Sequence, residues 1–124
     1  MEFSFTLRVY IEDTDSGGIV YYVNYLKFME RSRTEFMRSL GFDRSATFNE
    51  ASMFVVRDLA VRYFSPAFLD DEIRVTAAVV KVRGASLDMC QSIFRRAEEL
   101  VKASLCLASV DRDNLMPRRL TKEM

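Results

Sequence analysis

The chain has 124 residues, of which 49% are hydrophobic, and its 18 basic and 18 acidic residues give a formal net charge of zero. This size and apolar content predict one globular domain over residues 1–124 and exclude a disordered chain. A neutral balance argues against a general nucleic-acid binder. The absence of histidine excludes histidine-activated nucleophiles and nearly every catalytic zinc site, so acid–base chemistry must come from carboxylates, Lys, Tyr or Cys.

The N-terminal residues predict a strand rather than a targeting segment. Apolar and polar side chains alternate, which is the pattern of a half-buried strand. There is no basic start followed by an apolar run, and no stretch approaches membrane-spanning length. We therefore expect a cytoplasmic protein without membrane insertion, in which Cys90 and Cys106 are reduced core residues. The alternating apolar positions are Phe3, Phe5, Leu7, Val9 and Ile11.

An acidic, glycine-rich turn comes next and leads into a helix. Glu12, Asp13 and Asp15 stand just before Gly17 and Gly18. Glycine allows tight turns and lets backbone N–H groups approach a ligand closely. A helix N-terminus adds unpaired N–H donors and a partial positive charge. This stretch can therefore place a carboxylate beside a site for a developing oxyanion.

One long helix is predicted after the turn, with Asn24 as its N-cap and Gly41 as its stop. Ser32 and Arg33 interrupt its apolar face, and we interpret Arg33 as solvated, paired or facing a subunit contact. The apolar residues at helical spacing are Tyr22, Tyr25, Leu26, Met29, Phe36, Met37 and Leu40.

The second half of the chain predicts four strands joined by short turns, over residues 53–64, 73–83, 85–96 and 100–110. Residues 116–120 are predicted to add a short edge strand. Because no helices separate these strands, they should pair antiparallel. One helix against such a sheet gives an α+β fold.

The turn and helix resemble the Asp-x-Asp-x-x-Gly-Ile/Val-Val-x-Tyr/His-x-x-Tyr signature of the 4-hydroxybenzoyl-CoA thioesterase family, which has the hotdog fold. The matching residues are Asp13, Asp15, Gly18, Ile19, Val20, Tyr22 and Tyr25. Most of the chain is also similar to the bacterial Tol–Pal-associated acyl-CoA thioesterase branch, through residues 28–35, 54–57, 65–67, 69–71, 83–87 and 116–118. That branch usually has histidine where this chain has Tyr22.

The resemblance implies one long helix wrapped by a curved antiparallel sheet of about five strands. It implies a homodimer or homotetramer with its active site at the subunit interface, and hydrolysis of an acyl- or aryl-CoA thioester without a cofactor or metal. The family's catalytic carboxylate falls on Asp15, as base or nucleophile, and its carbonyl-polarising backbone N–H falls on Tyr22. The predicted substrate-binding residues are Asp13, Gly18, Tyr25, Arg57, Arg83 and Ser86.

Several alternatives stay open. Asp13 and Asp15 could be ordinary turn formers. Asp13-Thr14-Asp15 is also compatible with a magnesium-dependent phosphatase, although that chemistry normally sits on a larger parallel sheet. A hotdog-fold dehydratase is disfavoured because those enzymes use histidine, whereas a non-catalytic acyl-binding or assembly module of the same fold remains. The acyl group and its carrier, CoA or acyl carrier protein, are not determined by the sequence.

Overall fold

A computed structural model describes residues 2–40, 52–111 and 113–117. The predicted helix stop Gly41 and the part of the predicted tail strand beyond residue 117 lie outside the described residues. The elements in chain order are β1 (Glu2–Arg8), a 3-10 turn (Ile11–Asp13), α1 (Tyr22–Ser39), β2 (Ser52–Tyr63), β3 (Glu72–Arg83), β4 (Ser86–Arg95) and β5 (Glu98–Asp111).

The five strands form one antiparallel sheet in the order β1-β3-β4-β5-β2, which confirms the predicted α+β class. Strands β1 and β2 are the edges. The sheet has two ends. At the turn end, Arg8 of β1 lies opposite Glu72 of β3. At the hairpin end, β3 passes into β4 through Gly84, whose φ of 55° suits glycine.

Helix α1 covers one face of this sheet. On β4, for example, alternate residues are buried, and the residues between them are half-buried on the other face of the sheet. Towards the turn end the core includes Tyr25, Phe28 and Ile93. Towards the hairpin end a second cluster includes Phe36 and Leu87. Within the described ranges, no helix is long and apolar enough to cross a membrane.

The sequence prediction that both cysteines lie in the core is wrong. Cys90 and Cys106 are free thiols and only half-buried. Each occupies a position between the buried residues of its strand, for example between Met89 and Gln91 on β4. Since successive side chains of a strand point to opposite faces, both thiols lie on the face away from α1.

The N-terminal strand is shorter than its alternation predicts, because it ends at Arg8 rather than near Ile11. The backbone N–H of Val9 donates to the Asp71 carbonyl at 2.8 Å, outside the strand ladder. The Asp13 carboxylate then accepts the Tyr10 N–H at 2.9 Å. Aspartate side chains compete with regular structure in this way, and this one starts the turn early.

The predicted N-cap, Asn24, is also wrong. The helix begins at Tyr22 with Tyr21 as its N-cap. The Asn24 side chain lies inside the first turn and donates to Asp13 instead. Two residues predicted for the core are largely exposed, Tyr22 at 59% and Leu40 at 43%, because they stand at the two ends of the helix.

Candidate active site

The acidic turn is a small closed loop built almost entirely by backbone hydrogen bonds. The Asp15 N–H donates to the Ile19 carbonyl at 3.0 Å, and the Gly18 N–H donates back to the Asp15 carbonyl at 3.1 Å. Gly18 has a φ of 79°, a conformation that a residue with a Cβ rarely adopts. The turn therefore holds the main chain of Asp15 in a fixed place.

The Asp15 side chain is exposed, and its Oδ1 accepts the Gly17 N–H at 2.8 Å. A Cβ on Gly17 would lie 3.3 Å from this oxygen, which is a tight contact. This glycine lets the backbone approach the carboxylate closely. The result is an accessible carboxylate whose orientation is set by one N–H donor.

Asp13 lies two residues before Asp15 and, unlike Asp15, is buried. It is only 9% exposed. Its Oδ2 accepts the Tyr10 N–H at 2.9 Å, and its Oδ1 accepts the Asn24 side-chain amide at 3.0 Å. Its backbone carbonyl also accepts the Tyr21 N–H at 3.1 Å, which ties the turn directly to the start of α1. Asp13 thus holds the turn against the helix, and its predicted contact with substrate stays a prediction.

At the start of α1 the Asn24 N–H donates to the Tyr21 carbonyl at 2.8 Å, and the Tyr22 N–H is the candidate donor to a ligand. The first N–H groups of a helix have no intrahelical acceptor, and Tyr22 is the first residue of α1. The N-cap residue, Tyr21, makes no side-chain capping bond. An exposed residue at an uncapped helix start can donate its N–H to an oxyanion.

Residues 67–69 hold the acidic turn through further hydrogen bonds. The Val20 N–H donates to the Ala67 carbonyl at 2.9 Å, and the Leu69 N–H donates to the Gly18 carbonyl at 3.0 Å. The Ala67 N–H in turn donates to the Tyr25 hydroxyl at 2.9 Å. Burial raises the pKa of Tyr25, which is 3% exposed. Gly18 and Tyr25 therefore serve the scaffold of the turn, and their contact with substrate stays a prediction.

Tyr63, the last residue of β2, is a member of this site that sequence reasoning missed. Its ring lies edge-on to Tyr22, with ring centroids 6.4 Å apart, and 5.6 Å from the ring of Tyr25. Its hydroxyl is 3.4 Å from the Tyr22 carbonyl, to which it donates. Tyr63 thus packs against the helix start from the edge strand, and only the three-dimensional pairing of β2 with β5 brings it there.

The predicted basic contacts lie elsewhere. Arg83 ends β3, and one guanidinium nitrogen contacts both Asp88 carboxylate oxygens at 2.7 Å, which lowers the pKa of Asp88. Ser86 begins β4 beside it, at the hairpin end. Arg57 lies within β2, exposed, 3.8 Å from Asp58.

The structure therefore divides the predicted site residues into two groups. Asp13, Asp15, Gly18, Tyr22 and Tyr25 come together at the turn end. Arg83 and Ser86 are separated from them by the length of β4, whose 10 residues span roughly 30 Å. Arg57 belongs with this second group, because its neighbours Val56 and Asp58 pair with the part of β5 that lies beside Leu87 and Asp88.

A groove runs beside α1 on its β2 side. Its first part, about 270 Å³, begins at Val23, the residue after Tyr22, and reaches Arg33. Its second part, about 510 Å³, continues to Met37. Glu30, Arg33 and Val56 line both parts, and Lys27 lines the first part, so the groove is largely apolar with three charged residues of α1 along it.

Comparison with known proteins places this arrangement in a family. The family model described as Thioesterase superfamily matches residues 17–102. The acyl-CoA thioesterase YbgC of Haemophilus influenzae is 42% identical over 123 residues, which cover 98% of this chain and 90% of that protein. The acyl-CoA thioester hydrolase YbgC of Escherichia coli is 39% identical over 123 residues, covering 98% and 92%.

Solved structures give the same result. A probable thioesterase from Bartonella henselae has a TM-score of 0.91 and 34% identity to this chain, and the match covers 98% of this chain and 100% of that one. These matches confirm the hotdog fold and the family that the residues of the turn and helix resemble.

Proposed function

This chain belongs to the thioesterase superfamily and is a thioester hydrolase, and we propose that Asp15 is the carboxylate with which it hydrolyses acyl-CoA thioesters. One observation carries the assignment of Asp15. Its carboxylate is exposed in a rigid turn that is hydrogen-bonded directly to an uncapped helix start. Asp13 has both carboxylate oxygens engaged inside the protein, so Asp15 is the acid that can meet substrate.

The chemistry requires an oxygen nucleophile and a place for negative charge. Asp15 either removes a proton from water as the water oxygen attacks the thioester carbon, or attacks that carbon itself. The carbonyl oxygen becomes an oxyanion and accepts the Tyr22 N–H. An oxyanion donor of this kind contributes about 3–4 kcal/mol. Collapse of the intermediate breaks the carbon–sulfur bond, and the CoA thiolate leaves and takes up a proton. In the direct-attack route the acyl group is then on Asp15 as an anhydride, and water opens that anhydride to release the acid and restore the carboxylate.

We further propose that two subunits complete the site. Strand β2 is an edge strand of 12 residues with exposed Val55, Val56 and Leu59, and exposed edges favour pairing with another chain. A twofold axis that pairs two β2 strands antiparallel sets the turn end of one subunit beside the hairpin end of the other. Arg83 and Ser86 would then approach the CoA phosphates from the partner.

A thiol-release assay over a panel of aliphatic and aromatic acyl-CoAs tests the proposed function. We expect turnover of at least part of the panel, unchanged by a chelator, because no step uses a metal. Loss of activity with the chelator, or release of phosphate from phosphate esters in place of thiol, would support the phosphatase alternative. Binding of acyl-CoA without turnover would support the non-catalytic module.

Hydrolysis in heavy-oxygen water separates the two roles of Asp15. If Asp15 attacks the carbonyl, an anhydride forms, and label enters the Asp15 carboxylate whenever water opens that anhydride at the Asp15 carbonyl carbon. If Asp15 activates water, label appears only in the released acid. Mass spectrometry of the peptide that contains Asp15 measures the difference.

A further inference from the structure

Arg95, the last residue of β4, binds both ends of residues 66–71, which we call the support segment. Its Nη1 donates to the Asp71 Oδ2 at 2.7 Å and to the Pro66 carbonyl at 3.2 Å. Its Nη2 donates to the Glu98 Oε1 at 2.8 Å, across the hairpin between β4 and β5. These carboxylate bonds raise the pKa of Arg95, so its guanidinium stays charged. Because β4 is hydrogen-bonded to a strand on each side, Arg95 joins the support segment to a fixed part of the sheet.

The support segment has a backbone conformation that its surroundings must maintain. Asp70 has a φ of 71°, in the left-handed region that favours glycine. Backbone strain of this kind persists only where neighbouring contacts fix the chain. The Asp71 Oδ2 accepts the Phe68 N–H at 2.8 Å as well as the Arg95 guanidinium. The Arg95 guanidinium carbon also lies 5.5 Å from the centre of the Phe68 ring, within the range of a cation–π contact. Arg95 is therefore one of the groups that hold the segment in its strained shape.

The support segment in turn holds the acidic turn. Ile19 pairs antiparallel with Phe68, between the two hydrogen bonds that residues 67 and 69 make to the turn. The Ile19 carbonyl then accepts the Asp15 N–H at 3.0 Å. A continuous series of hydrogen bonds thus runs from Arg95, through the support segment and Ile19, to the main chain of Asp15.

We infer that Arg95 is a positioning residue for thioester hydrolysis. Acting through the Asp71 carboxylate and the Pro66 carbonyl, it fixes the support segment where the acidic turn presents Asp15 to the thioester. The inference rests on the proposed role of Asp15 and adds a residue that does not touch the substrate. Within the described ranges, the hydrogen bonds of the Arg95 side chain go to the support segment and to Glu98, so its effect on Asp15 is indirect.

Two substitutions of Arg95 test the inference through kcat. Arg95→Gln removes the charge and the fork of donors that reaches both ends of the support segment. We expect kcat to fall about tenfold with KM for acyl-CoA unchanged, because a misplacement of about 1 Å can cost roughly 100-fold. Arg95→Lys keeps a charge for Asp71 but offers one ammonium in place of the fork, so it should recover part of the loss.

Two neighbouring residues provide matched controls. Glu98→Gln weakens the third contact of the guanidinium and leaves both contacts with the support segment. Arg74→Gln makes the same chemical change as Arg95→Gln in the same cavity, at a side chain that lies over the ring of Phe94. Neither control removes a contact of Arg95 with Asp71 or Pro66, and both should keep the wild-type kcat.

A second readout separates positioning from a general contribution to stability. If Arg95 acts by placing Asp15, its loss matters less once the Asp15 carboxylate is gone. In an Asp15→Asn background, Arg95→Gln should lower the residual kcat by less than about twofold, whereas independent effects would multiply. Hydrogen exchange of Arg95→Gln should be faster in the peptide that covers residues 13–22 and unchanged in peptides from β2 and β5.

Three results would overturn the inference: a wild-type kcat in folded Arg95→Gln, a rise in KM with kcat unchanged, or an equal fold-loss of kcat in the two backgrounds. Faster exchange in β2 and β5 as well would also overturn it, since it would show a general loss of stability. If Arg95→Gln does not fold, Arg95→Lys measured in the same two backgrounds decides, with a smaller loss expected only where Asp15 is present. Full activity of Asp15→Asn alone would instead contradict the proposed function, so the two failures are distinguishable.

Discussion

The turn end and the hairpin end of the sheet are built in different ways. At the turn end, backbone hydrogen bonds among residues 13–21 and 67–69 fix the main chain around Asp15. At the hairpin end, Arg83 is an exposed side chain paired only with the half-buried carboxylate of Asp88 among the described residues. A rigid main chain suits a catalytic group that must be held at a fixed position beside the reacting carbon, because a small misplacement lowers the reaction rate. A flexible charged side chain such as that of Arg83 suits electrostatic attraction of the CoA phosphates.

The difference predicts that changes at the turn end affect stability and kcat, whereas changes at the hairpin end affect KM and salt dependence. Three substitutions sharpen this comparison.

Asp13→Asn should have the largest effect on stability. The Asn24 side-chain amide and the Tyr10 N–H both donate to the Asp13 carboxylate, and an asparagine presents one oxygen and one NH₂ group in its place. Leaving one of these partly buried donors without an acceptor costs on the order of 1 kcal/mol in the free energy of unfolding. Urea unfolding followed by circular dichroism measures it. Unchanged stability would mean that Asp13 does not hold the turn.

Tyr63→Ala should lower kcat by about tenfold, equivalent to roughly 1.4 kcal/mol of transition-state stabilisation, because the helix start loses the ring that packs against Tyr22. Tyr63→Phe keeps the ring and removes only a hydroxyl at 3.4 Å, so it should stay near the wild-type kcat. Steady-state kinetics of both variants gives the comparison. A rise in KM with kcat unchanged would assign Tyr63 to binding instead of positioning.

Arg83→Ala should have the smallest effect, raising KM for acyl-CoA about threefold to tenfold with kcat unchanged, on the scale of 1 kcal/mol for an exposed charge contact. In the wild type, KM should rise with salt because such contacts are screened, and the variant should lose part of that dependence. Acyl-pantetheine, which lacks the nucleotide, should be hydrolysed equally well by both proteins. A salt dependence identical in both would remove Arg83 from the CoA site.

The sequence was most informative where neighbouring residues decide the structure. The alternation of Phe3, Phe5 and Leu7 predicted the half-buried face of β1, and the spacing of Tyr25, Met29 and Phe36 predicted the buried face of α1. Both patterns depend only on the period of the element.

The incorrect or missed predictions concern features that depend on residues distant in the sequence. The early end of β1 depends on a contact between Val9 and Asp71. Asn24 looked like an N-cap, but its side chain is used by Asp13. Tyr63 is 41 residues from Tyr22 and reaches it only through the pairing of β2 at the sheet edge. No local sequence pattern predicts such contacts, because they form only when the strands assemble into the sheet.

The most direct test of the account is the kcat of Asp15→Asn measured beside its stability. Asn keeps the shape and the bond from the Gly17 N–H but removes charge and basicity. We predict a loss of at least about 100-fold in kcat, the low end of what a general base supplies, with the free energy of unfolding and the binding of acyl-CoA unchanged. Hydrolysis of every acyl-CoA substrate at the wild-type rate by a folded Asp15→Asn protein would contradict the catalytic role of Asp15.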